Sequence, residues 1–435
     1  MAKPTILFEH EYTTGFNWSD GELVLLERLN KAVGTEILRP AIHRGRRELK
    51  AGSHVGIVRF GARTIQVLPK IHKSSVSASE QERAREATRN LLYMLAYAGH
   101  LSIREHTLAP MFRQGSDWFE ILTRLFASHL LEEWQRGAYR NYQSIEDDLP
   151  VLKCKWRIAD QLRRPMRQHI FSVAYDEFTA DNALNRTFRF VVERLWRLTR
   201  DNGNRQILGE LRQWMEEVTL LARVSVAEAT PSLLTRLNGR YAPLLNLARL
   251  FLDGGALQLS AGDLSSFAFT FDMNQLFETF LINFIRRHRE EILPSTLRES
   301  ELLSQSRGVT YYLARRENRG VFHLKPDLAF SRMKQFPLLL DAKYKRLNQA
   351  DAKLGVSQAD FYQMHAYAHR YACQRVILIY PQTTEMPEPL RAQFVVEGAQ
   401  ITIDAVTVNL QVALESRNGR SQLIHELKYL LQMDD

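Results

Sequence analysis

The spacing of apolar residues changes along the chain from a strand pattern to a helix pattern. Residues 54–68 contain two runs of β-forming residues on either side of a Gly-Ala-Arg turn, which predicts a hairpin. Pro69 has no amide N–H to donate and is expected to end the strand pairing. We therefore expect a β-rich N-terminal domain over residues 1–72.

Helical spacing dominates the next part of the chain. After a charged turn that begins at residue 79, apolar residues recur on one helix face, and residues 118–134 repeat such a stripe. Further helices are expected at residues 182–199, 206–221 and 232–252. We predict a mostly helical middle region over residues 73–258 that ends at a glycine-rich break.

Helices and short apolar strands alternate after this break. A helix is expected at residues 273–291, a second at 357–372, and a strand at 375–380. Alternation of this kind indicates a mixed sheet covered by helices. The fold class we predict is α+β and multidomain, with a C-terminal α/β/α sandwich over residues 259–435.

The composition is that of a globular protein and leaves the ligand class open. The 435 residues are enough for two or three domains. The net charge of +9 and the pI near 9.5 favour a polyanionic partner. Cys154 and Cys373 are too few for a disulfide framework or a zinc site. Because neither a secretion signal nor a membrane helix is visible, we expect a cytoplasmic protein.

A basic stretch in the middle region is a candidate edge for DNA or for an acidic protein. Residues 152–169 hold six Arg or Lys residues together with Trp156. A solvated connection is the alternative reading of the same residues. The candidate DNA contacts are Arg163, Arg164, Arg167 and, further along the chain, Lys345.

Two acids and a lysine stand beside an apolar strand near the end of the chain. Two strand-like runs, 324–330 and 336–343, are joined by a short polar turn. Side chains alternate across a strand, so Asp341 and Lys343 share one face, and Asp327 could come opposite that face. Carboxylates that converge in this way would hold Mg²⁺, and Lys343 could orient or deprotonate an attacking water.

The spacing D/E-x-K is a weak signal by itself. It also occurs at Glu48-Leu-Lys50, Asp351-Ala-Lys353 and Glu426-Leu-Lys428, the last two of which resemble exposed loop or helix faces. Only Asp341 closes a leucine-rich strand with a second Asp upstream.

Two predicted helices add further candidates. Glu278 lies on an amphipathic helix, where it is either a surface residue or an additional metal or water ligand. Gln363 and Tyr367 are four residues apart and so share a helix face. His365 and His369 have the same spacing, but they lack a third ligand at matching spacing, which disfavours a metal pair.

Together these residues resemble the PD-(D/E)xK nuclease superfamily and, more narrowly, the McrC family. The similar segments after residue 260 are MNQLFETF, PDLAF, LLLDAKYK and DFYQMHAYA. Upstream, Leu68-Pro-Lys-Ile71 and DNALNR (residues 181–186) also look McrC-like. Cys154 departs from the pattern because a glycine is expected there.

The resemblance implies a restriction-endonuclease-like core and a function in antiviral defence. McrC-like proteins cut modified DNA with Mg²⁺, and Mn²⁺ could replace it. Asp327, Asp341 and Glu278 would be the metal ligands, Lys343 would act on water, and Gln363 and Tyr367 would steady Lys343 or the DNA.

The family also implies protein partners. A separate McrB-like AAA+ GTPase hexamer recognises the DNA and is stimulated by the N-terminal part of McrC, and a McrC dimer is conceivable. The sequence has no G-x-x-x-x-G-K-[ST] phosphate loop of its own. Two alternatives stay open: a non-cutting activator of a motor, and a stand-alone repair nuclease.

Overall fold

The structure is a computed structural model. It describes residues 4–13, 18–60, 63–72, 80–99, 117–164, 166, 169–253, 257–261, 264–304, 311–383, 386 and 388–432. Within these ranges, no helix combines the length and the apolar character that crossing a bilayer requires.

Helices and several sheets alternate along the described chain. The strands are β1 (Thr5–Phe8), β2 (Leu38–His43), β3 (Arg46–Ala51), β4 (His54–Phe60), β5 (Arg63–Leu68), β6 (Asn141–Leu149), β7 (Lys155–Trp156), β8 (Phe171–Thr179), β9 (Leu257–Ala261), β10 (Leu264–Asp272), β11 (Glu301–Leu303), β12 (Tyr311–Arg316), β13 (Arg319–Leu324), β14 (Leu328–Arg332), β15 (Gln335–Ala342), β16 (Arg375–Pro381), β17 (Arg391–Val395) and β18 (Thr402–Val408). The helices are α1 (Asp20–Val33), α2 (Glu80–Tyr97), α3 (Trp118–Gln135), α4 (Ile158–Leu162), α5 (Ala183–Leu198), α6 (Asn202–Trp214), α7 (Ala242–Asp253), α8 (Met273–Arg287), α9 (Arg289–Ile292), α10 (Ser295–Arg298), α11 (Gln358–Tyr371) and α12 (Arg417–Leu431).

The chain forms two compact units. One unit combines Met1–Gly115 with Gly255–Asp435, and the other is Ser116–Gly254. The predicted division at residues 72 and 258 differs from this grouping, because strand pairing links the N-terminal segment of the first unit to its C-terminal segment. Strand β10 pairs antiparallel with β4 from Ser266↔Phe60 to Asp272↔His54. The N-terminal sheet therefore has the order β1-β5-β4-β10-β9 and contains strands from both segments of the first unit.

Helix α2 also belongs to the first unit rather than to the middle region. The Asn90 amide donates hydrogen bonds to the carbonyl oxygens of Leu410 and Val412, at 2.9 and 3.0 Å. Arg89 forms an ion pair of 2.9 Å with Glu415. These contacts join α2 to the segment before α12, far away in sequence.

A second, mixed sheet forms the C-terminal part of the first unit. Its order is β11-β14-β15-β16-β18-β17, with β14 and β15 antiparallel and with β15, β16 and β18 parallel. Its core is apolar and includes Leu339, Val376 and Leu378 from the strands together with Met364 from α11. This arrangement agrees with the expected strands and helices near residues 324–343, 357–372 and 375–380.

The second unit is less purely helical than predicted. The expected helices are present as α3, α5, α6 and α7, but β6, β8 and β7 form a three-stranded antiparallel sheet. The sequence of β6, NYQSIEDDL, lacks the apolar alternation that signals a strand, because no residue of this strand is buried against a core. Cys154 lies before β7 with φ of 53°, in the left-handed region that favours glycine, which explains the residue type expected there.

Candidate active site

Strand pairing brings Asp327 and Asp341 together at one end of the mixed sheet. The β14–β15 register aligns Leu328 with Leu340, so Asp327, one residue before β14, lies next to Asp341. Met333 and Lys334 both have positive φ, as a tight two-residue hairpin turn requires. This turn is shorter than the five-residue connection expected from sequence, and it fixes the alignment of the two acids.

The parallel partner strand fixes the position of Lys343. Asp341 pairs with Leu378 of β16, and the Lys343 amide continues the ladder by donating to the Ile379 carbonyl at 2.8 Å. The Lys343 ammonium lies 2.6 Å from the Asp341 carboxylate. The structure thus brings these side chains together on one face of β15.

The two aspartates are buried and repel each other. Asp327 is 7% exposed and Asp341 only 2%. Burial, together with the neighbouring Glu278, raises the pKa of Asp327 to about 8. Burial and the charge of Asp327 raise the pKa of Asp341 to about 7, although Lys343 opposes the shift. One contact is favourable: the Ala342 amide donates to Asp327 at 2.7 Å.

Glu278 enters the site from helix α8. The Asp272 side chain caps this helix by accepting a hydrogen bond from the Asn274 amide at 2.8 Å. Glu278 is half-buried beside Asp327, and burial and the charge of Asp341 raise its pKa, although its interaction with Asp327 opposes the shift. Its Oε1 atom is buried and has no hydrogen-bond partner among the described residues. The carboxylate therefore has spare acceptor capacity.

Lys343 stays charged in these surroundings. Burial lowers the pKa of its ammonium group, but Asp341 and Asp327 more than offset burial, and the net shift is upward. The group is therefore a hydrogen-bond donor at neutral pH and has no free lone pair with which to accept a proton.

The donor set fits a hard divalent cation. In the described part of the chain, no three His, Cys, Asp or Glu side chains converge as a complete metal cage. Mg²⁺ does not need such a cage, because it is commonly held by one or two carboxylates plus waters and phosphate oxygens. Mutually repelling carboxylates with an unpartnered oxygen provide that partial set. His365 and His369 lie 6.5 Å apart between ring centroids on α11, with no third ligand group described there.

Gln363 and Tyr367 contact the chain just before Asp327. The Gln363 amide donates to the Tyr367 hydroxyl at 2.8 Å, and that hydroxyl donates to the Lys325 carbonyl at 3.1 Å. Burial is the main reason that the pKa of Tyr367 rises to about 12. The pair steadies the main chain that carries Asp327, and a contact with Lys343 or DNA stays a prediction.

Three residues that the sequence did not single out as site residues hold the chain after Lys343. The Tyr344 hydroxyl donates to Glu9 at 2.7 Å, and the Lys70 ammonium donates to the Tyr344 carbonyl at 2.8 Å. The Lys70 amide also donates to Glu9 at 2.8 Å. Lys70 lies in the segment Leu68-Pro-Lys-Ile71 that carried part of the resemblance, whereas nothing local marked Glu9.

The candidate DNA contacts are engaged in ion pairs. Arg163 pairs with Asp160 at 3.4 Å, and Arg164 pairs with Asp148 of β6. Lys345 pairs with Asp360 at 2.7 Å. Arg167 lies outside the described residues. Contacts of these four residues with DNA stay a prediction.

The DNALNR segment has a structural explanation. Arg186 donates to both carboxylate oxygens of Asp181, which also accepts from Thr219, and these bonds hold the pKa of Asp181 well below its usual range. Asn182 caps helix α5, and Asn185 donates to the Tyr139 carbonyl at 2.8 Å. The segment therefore fixes the start of α5 within the second unit.

Comparisons with known proteins give a family and similar solved structures. The family model described as McrBC 5-methylcytosine restriction system component matches residues 49–381. A chain of the Thermococcus gammatolerans assembly of McrB AAA+ hexamers with bound McrC is similar, with a TM-score of 0.66 and 23% identity over 98% of this chain and 100% of that chain. A chain of the T. gammatolerans McrBC complex solved by cryo-EM has a TM-score of 0.49 and 25% identity, over 66% of this chain and 88% of that one. No curated protein matches.

Proposed function

Because the chain belongs to the McrBC family of 5-methylcytosine restriction system components, we propose that it is the DNA-cutting subunit of such a system. Residues 259–435 would be a PD-(D/E)xK endonuclease domain that hydrolyses phosphodiesters of modified foreign DNA. Residues 1–72 would engage a motor partner, and residues 73–258 would supply further contacts to that partner or, through Arg163, Arg164 and Arg167, to DNA. The localisation we propose is cytoplasmic.

One feature of the molecule supports the cutting role most strongly. Asp327 comes from the start of one strand and Asp341 and Lys343 from the end of the next, and the three meet at one end of the mixed sheet. Two buried carboxylates with raised pKa values destabilise the fold unless something offsets their repulsion. Such clusters are typical of functional sites.

Mg²⁺ fits this cluster, and Mn²⁺ has similar ligand preferences. Asp327 and Asp341 would hold the ion, with Glu278 beside Asp327 as a further ligand or through water. When bound, the cation supplies Lewis-acid stabilisation of the negative charge that develops on the phosphate. The carboxylates would give up their protons on binding, since only the ionised form is a good ligand.

Lys343 would act through its charge. Its raised pKa keeps the ammonium group protonated, which favours orienting the attacking water and donating to a phosphate oxygen over abstracting a proton. Its main chain is held on one side by Ile379 and, one residue later, by Lys70 at the Tyr344 carbonyl. Gln363 and Tyr367 would support the site through the main chain at Lys325.

A McrB-like AAA+ GTPase hexamer is the partner we propose. The structurally similar chain comes from an assembly of McrB AAA+ hexamers with bound McrC. The present sequence has no phosphate loop of the G-x-x-x-x-G-K-[ST] kind, so nucleotide hydrolysis by that route would come from another chain. A dimer of this chain within the assembly stays part of the proposal.

The test is cleavage of methylated plasmid DNA with partner, GTP and Mg²⁺. Asp341→Asn should slow cutting by on the order of 10³-fold or more, because it removes one ligand of the cation. Asp351→Asn is the matched control, since Asp351-Ala-Lys353 repeats the same tripeptide on an exposed loop.

The same proteins separate cutting from motor activation. Asp341→Asn should still stimulate GTP hydrolysis by the partner, because the substitution is confined to the cluster on β15. Cutting by Asp341→Asn at the rate of the control would disprove the assignment. A wild-type chain that stimulates GTP hydrolysis but never cuts would favour the non-cutting activator, and cutting without any partner would favour a stand-alone nuclease.

A further inference from the structure

A two-stranded hairpin stands beside the candidate active site without joining either large sheet. Strands β12 and β13 pair with each other from Tyr311↔Leu324 to Arg316↔Arg319. Glu317 and Asn318 form the tip, and both have positive φ, as a two-residue turn requires. Six residues of strand at about 3.3 Å each make an arm of roughly 20 Å. We call residues 311–324 the arginine hairpin.

The outer part of the arginine hairpin is exposed and basic. Every residue from 312 to 319 is exposed. Arg316 and Arg319 lie on one face of the hairpin, and Arg315 lies on the other. The acid at the tip, Glu317, forms a 3.9 Å pair with Arg316 that is fully at the surface and therefore weak. Arg315 and Arg319 have no acidic partner within ion-pair distance among the described residues. The tip thus carries an excess of positive charge that the fold itself does not neutralise.

The strand pairing places two of these positive charges so that they repel each other when no anion is bound. Arg316 and Arg319 lie directly opposite each other across the two strands. Like charges at opposed positions destabilise an antiparallel pair. An anion bound at the tip would remove that repulsion, and phosphate groups would suit the two opposed guanidinium groups better than one carboxylate would.

The base of the arginine hairpin is fixed to the active site. The Arg370 side chain of α11 donates to the Tyr312 carbonyl at 3.1 Å, and the Tyr371 hydroxyl donates to the Leu324 carbonyl at 3.3 Å. The rings of Tyr311 and Tyr371 lie 4.5 Å apart. Strand β13 then leads through Lys325 and one further residue to Asp327. The hairpin therefore leads from its exposed tip to the segment that carries Asp327.

We infer that the arginine hairpin binds the phosphate backbone of duplex DNA and holds it against the candidate active site. The inference rests on the proposed nuclease function and adds a binding element to it. The charge favours DNA as the occupant, and a two-stranded ribbon fits along a duplex groove. Contacts to phosphates position the duplex without reading its sequence. The hairpin thus orients DNA of any sequence.

The experiment measures the salt dependence of DNA binding by the full chain in an Asp341→Asn background, which prevents cutting. The test variant is Arg316→Ala with Arg319→Ala. The control is Arg223→Ala with Arg236→Ala, which removes two exposed arginines of the second unit and so changes the net charge equally. The probe is a fluorescent unmodified duplex of about 30 base pairs, titrated at several salt concentrations.

The test variant should lose about two phosphate contacts. The slope of log K against log salt should then fall by roughly 1.8, and binding near physiological salt should weaken by about tenfold or more. The control should bind like the parent. Arg316→Lys with Arg319→Lys keeps both charges and should restore most of the slope, which a purely structural defect would not allow.

Two results would overturn the inference. One is a slope for the test variant equal to that of the control. The other is a loss of binding to the AAA+ partner with no change in DNA binding, which would make the hairpin a protein contact. The proposed nuclease function is judged separately, by whether the chain with an intact Asp341 cuts DNA in the presence of partner, GTP and Mg²⁺.

Discussion

Two buried carboxylate sites in this protein are built on opposite principles. Glu120, in the second unit, is 6% exposed and accepts hydrogen bonds from the Thr199 hydroxyl, the Arg200 amide and the Asn204 side chain, at 2.6, 2.9 and 3.0 Å. Asp341, in the first unit, is 2% exposed and has a lysine on one side and a second buried aspartate on the other. One carboxylate is surrounded by donors, and the other is not.

The difference separates an acid that stabilises the fold from one that serves a site. A buried carboxylate with a full set of donors ties its helices together, as Glu120 does for α3 and the start of α6. A buried carboxylate that repels its neighbour lowers the stability of the empty protein, and it persists where binding or chemistry uses it. Opposite effects of mutation follow from this contrast.

The largest effect is expected at Glu120. Glu120→Ala would remove the acceptor of the Thr199 hydroxyl and of the Arg200 amide and would leave the Asn204 side chain only the Glu120 carbonyl, and it should lower the free energy of unfolding by about 4 kcal/mol. Glu120→Gln keeps one acceptor oxygen and should lower it by roughly 2 kcal/mol. Urea unfolding followed by circular dichroism measures both values. A Glu120→Ala protein as stable as wild type would mean that the donors find other partners and that the comparison fails.

The same acid-to-amide change at Asp341 should raise the free energy of unfolding, whereas at Glu120 it lowers it. The pKa of Asp341 rises from 3.8 to about 7 on folding, so the native state binds a proton that the unfolded chain releases. Stability without metal should therefore fall as the pH rises from about 4 to about 7. Asp341→Asn removes this loss and should be more stable than wild type by roughly 2 kcal/mol at pH 8, and similar to it near pH 4.

Urea unfolding in chelator at several pH values measures this difference. Glu120→Gln serves as the control, since it makes the same chemical change at a carboxylate with a full set of donors. Two results would contradict this prediction: a free energy of unfolding of the wild type that does not change over this pH range, or an Asp341→Asn protein that is less stable than the wild type at pH 8.

Local patterns were enough to predict which neighbouring side chains of the candidate site lie together, whereas their role in a site stays a prediction. Alternation along β15 places Asp341 and Lys343 on one face, and the structure has them 2.6 Å apart. Helical spacing places Gln363 next to Tyr367, and their side chains are hydrogen-bonded. Both inferences use residues that are two or four positions apart, where backbone geometry alone determines which side chains meet.

Contacts between distant segments could not be predicted in this way. The Glu9–Tyr344 hydrogen bond joins residues more than 300 positions apart, and the β4–β10 pairing joins residues about 200 positions apart. Alternation along a strand indicates which residues face the core, but it does not identify the partner strand. The predicted boundaries at residues 72 and 258 followed local composition and for that reason missed the shared sheet.

Mg²⁺ should offset the repulsion between Asp327 and Asp341 and so stabilise the folded protein, without any effect at Glu120. If the cation binds at Asp327 and Asp341, a tenfold excess over its dissociation constant stabilises the protein by about 1.4 kcal/mol. The gain should be present at pH 8 and smaller at pH 6, where both aspartates hold protons. Thermal unfolding with and without Mg²⁺ measures it. Asp341→Asn should lose most of the gain, whereas Glu120→Gln and Asp351→Asn should keep it.

The smallest effect is expected at Tyr367, which supports the acid cluster through the main chain. Tyr367→Phe removes the hydrogen bonds to the Lys325 carbonyl and from the Gln363 amide, and should lower the free energy of unfolding by about 1 kcal/mol. The segment before Asp327 would then be held less firmly, so DNA cutting should fall by roughly fivefold even where the protein is fully folded. Tyr362→Phe is the control, because Tyr362 lies on the exposed side of the same helix. Equal cutting by the two variants would mean that the active site does not depend on this support.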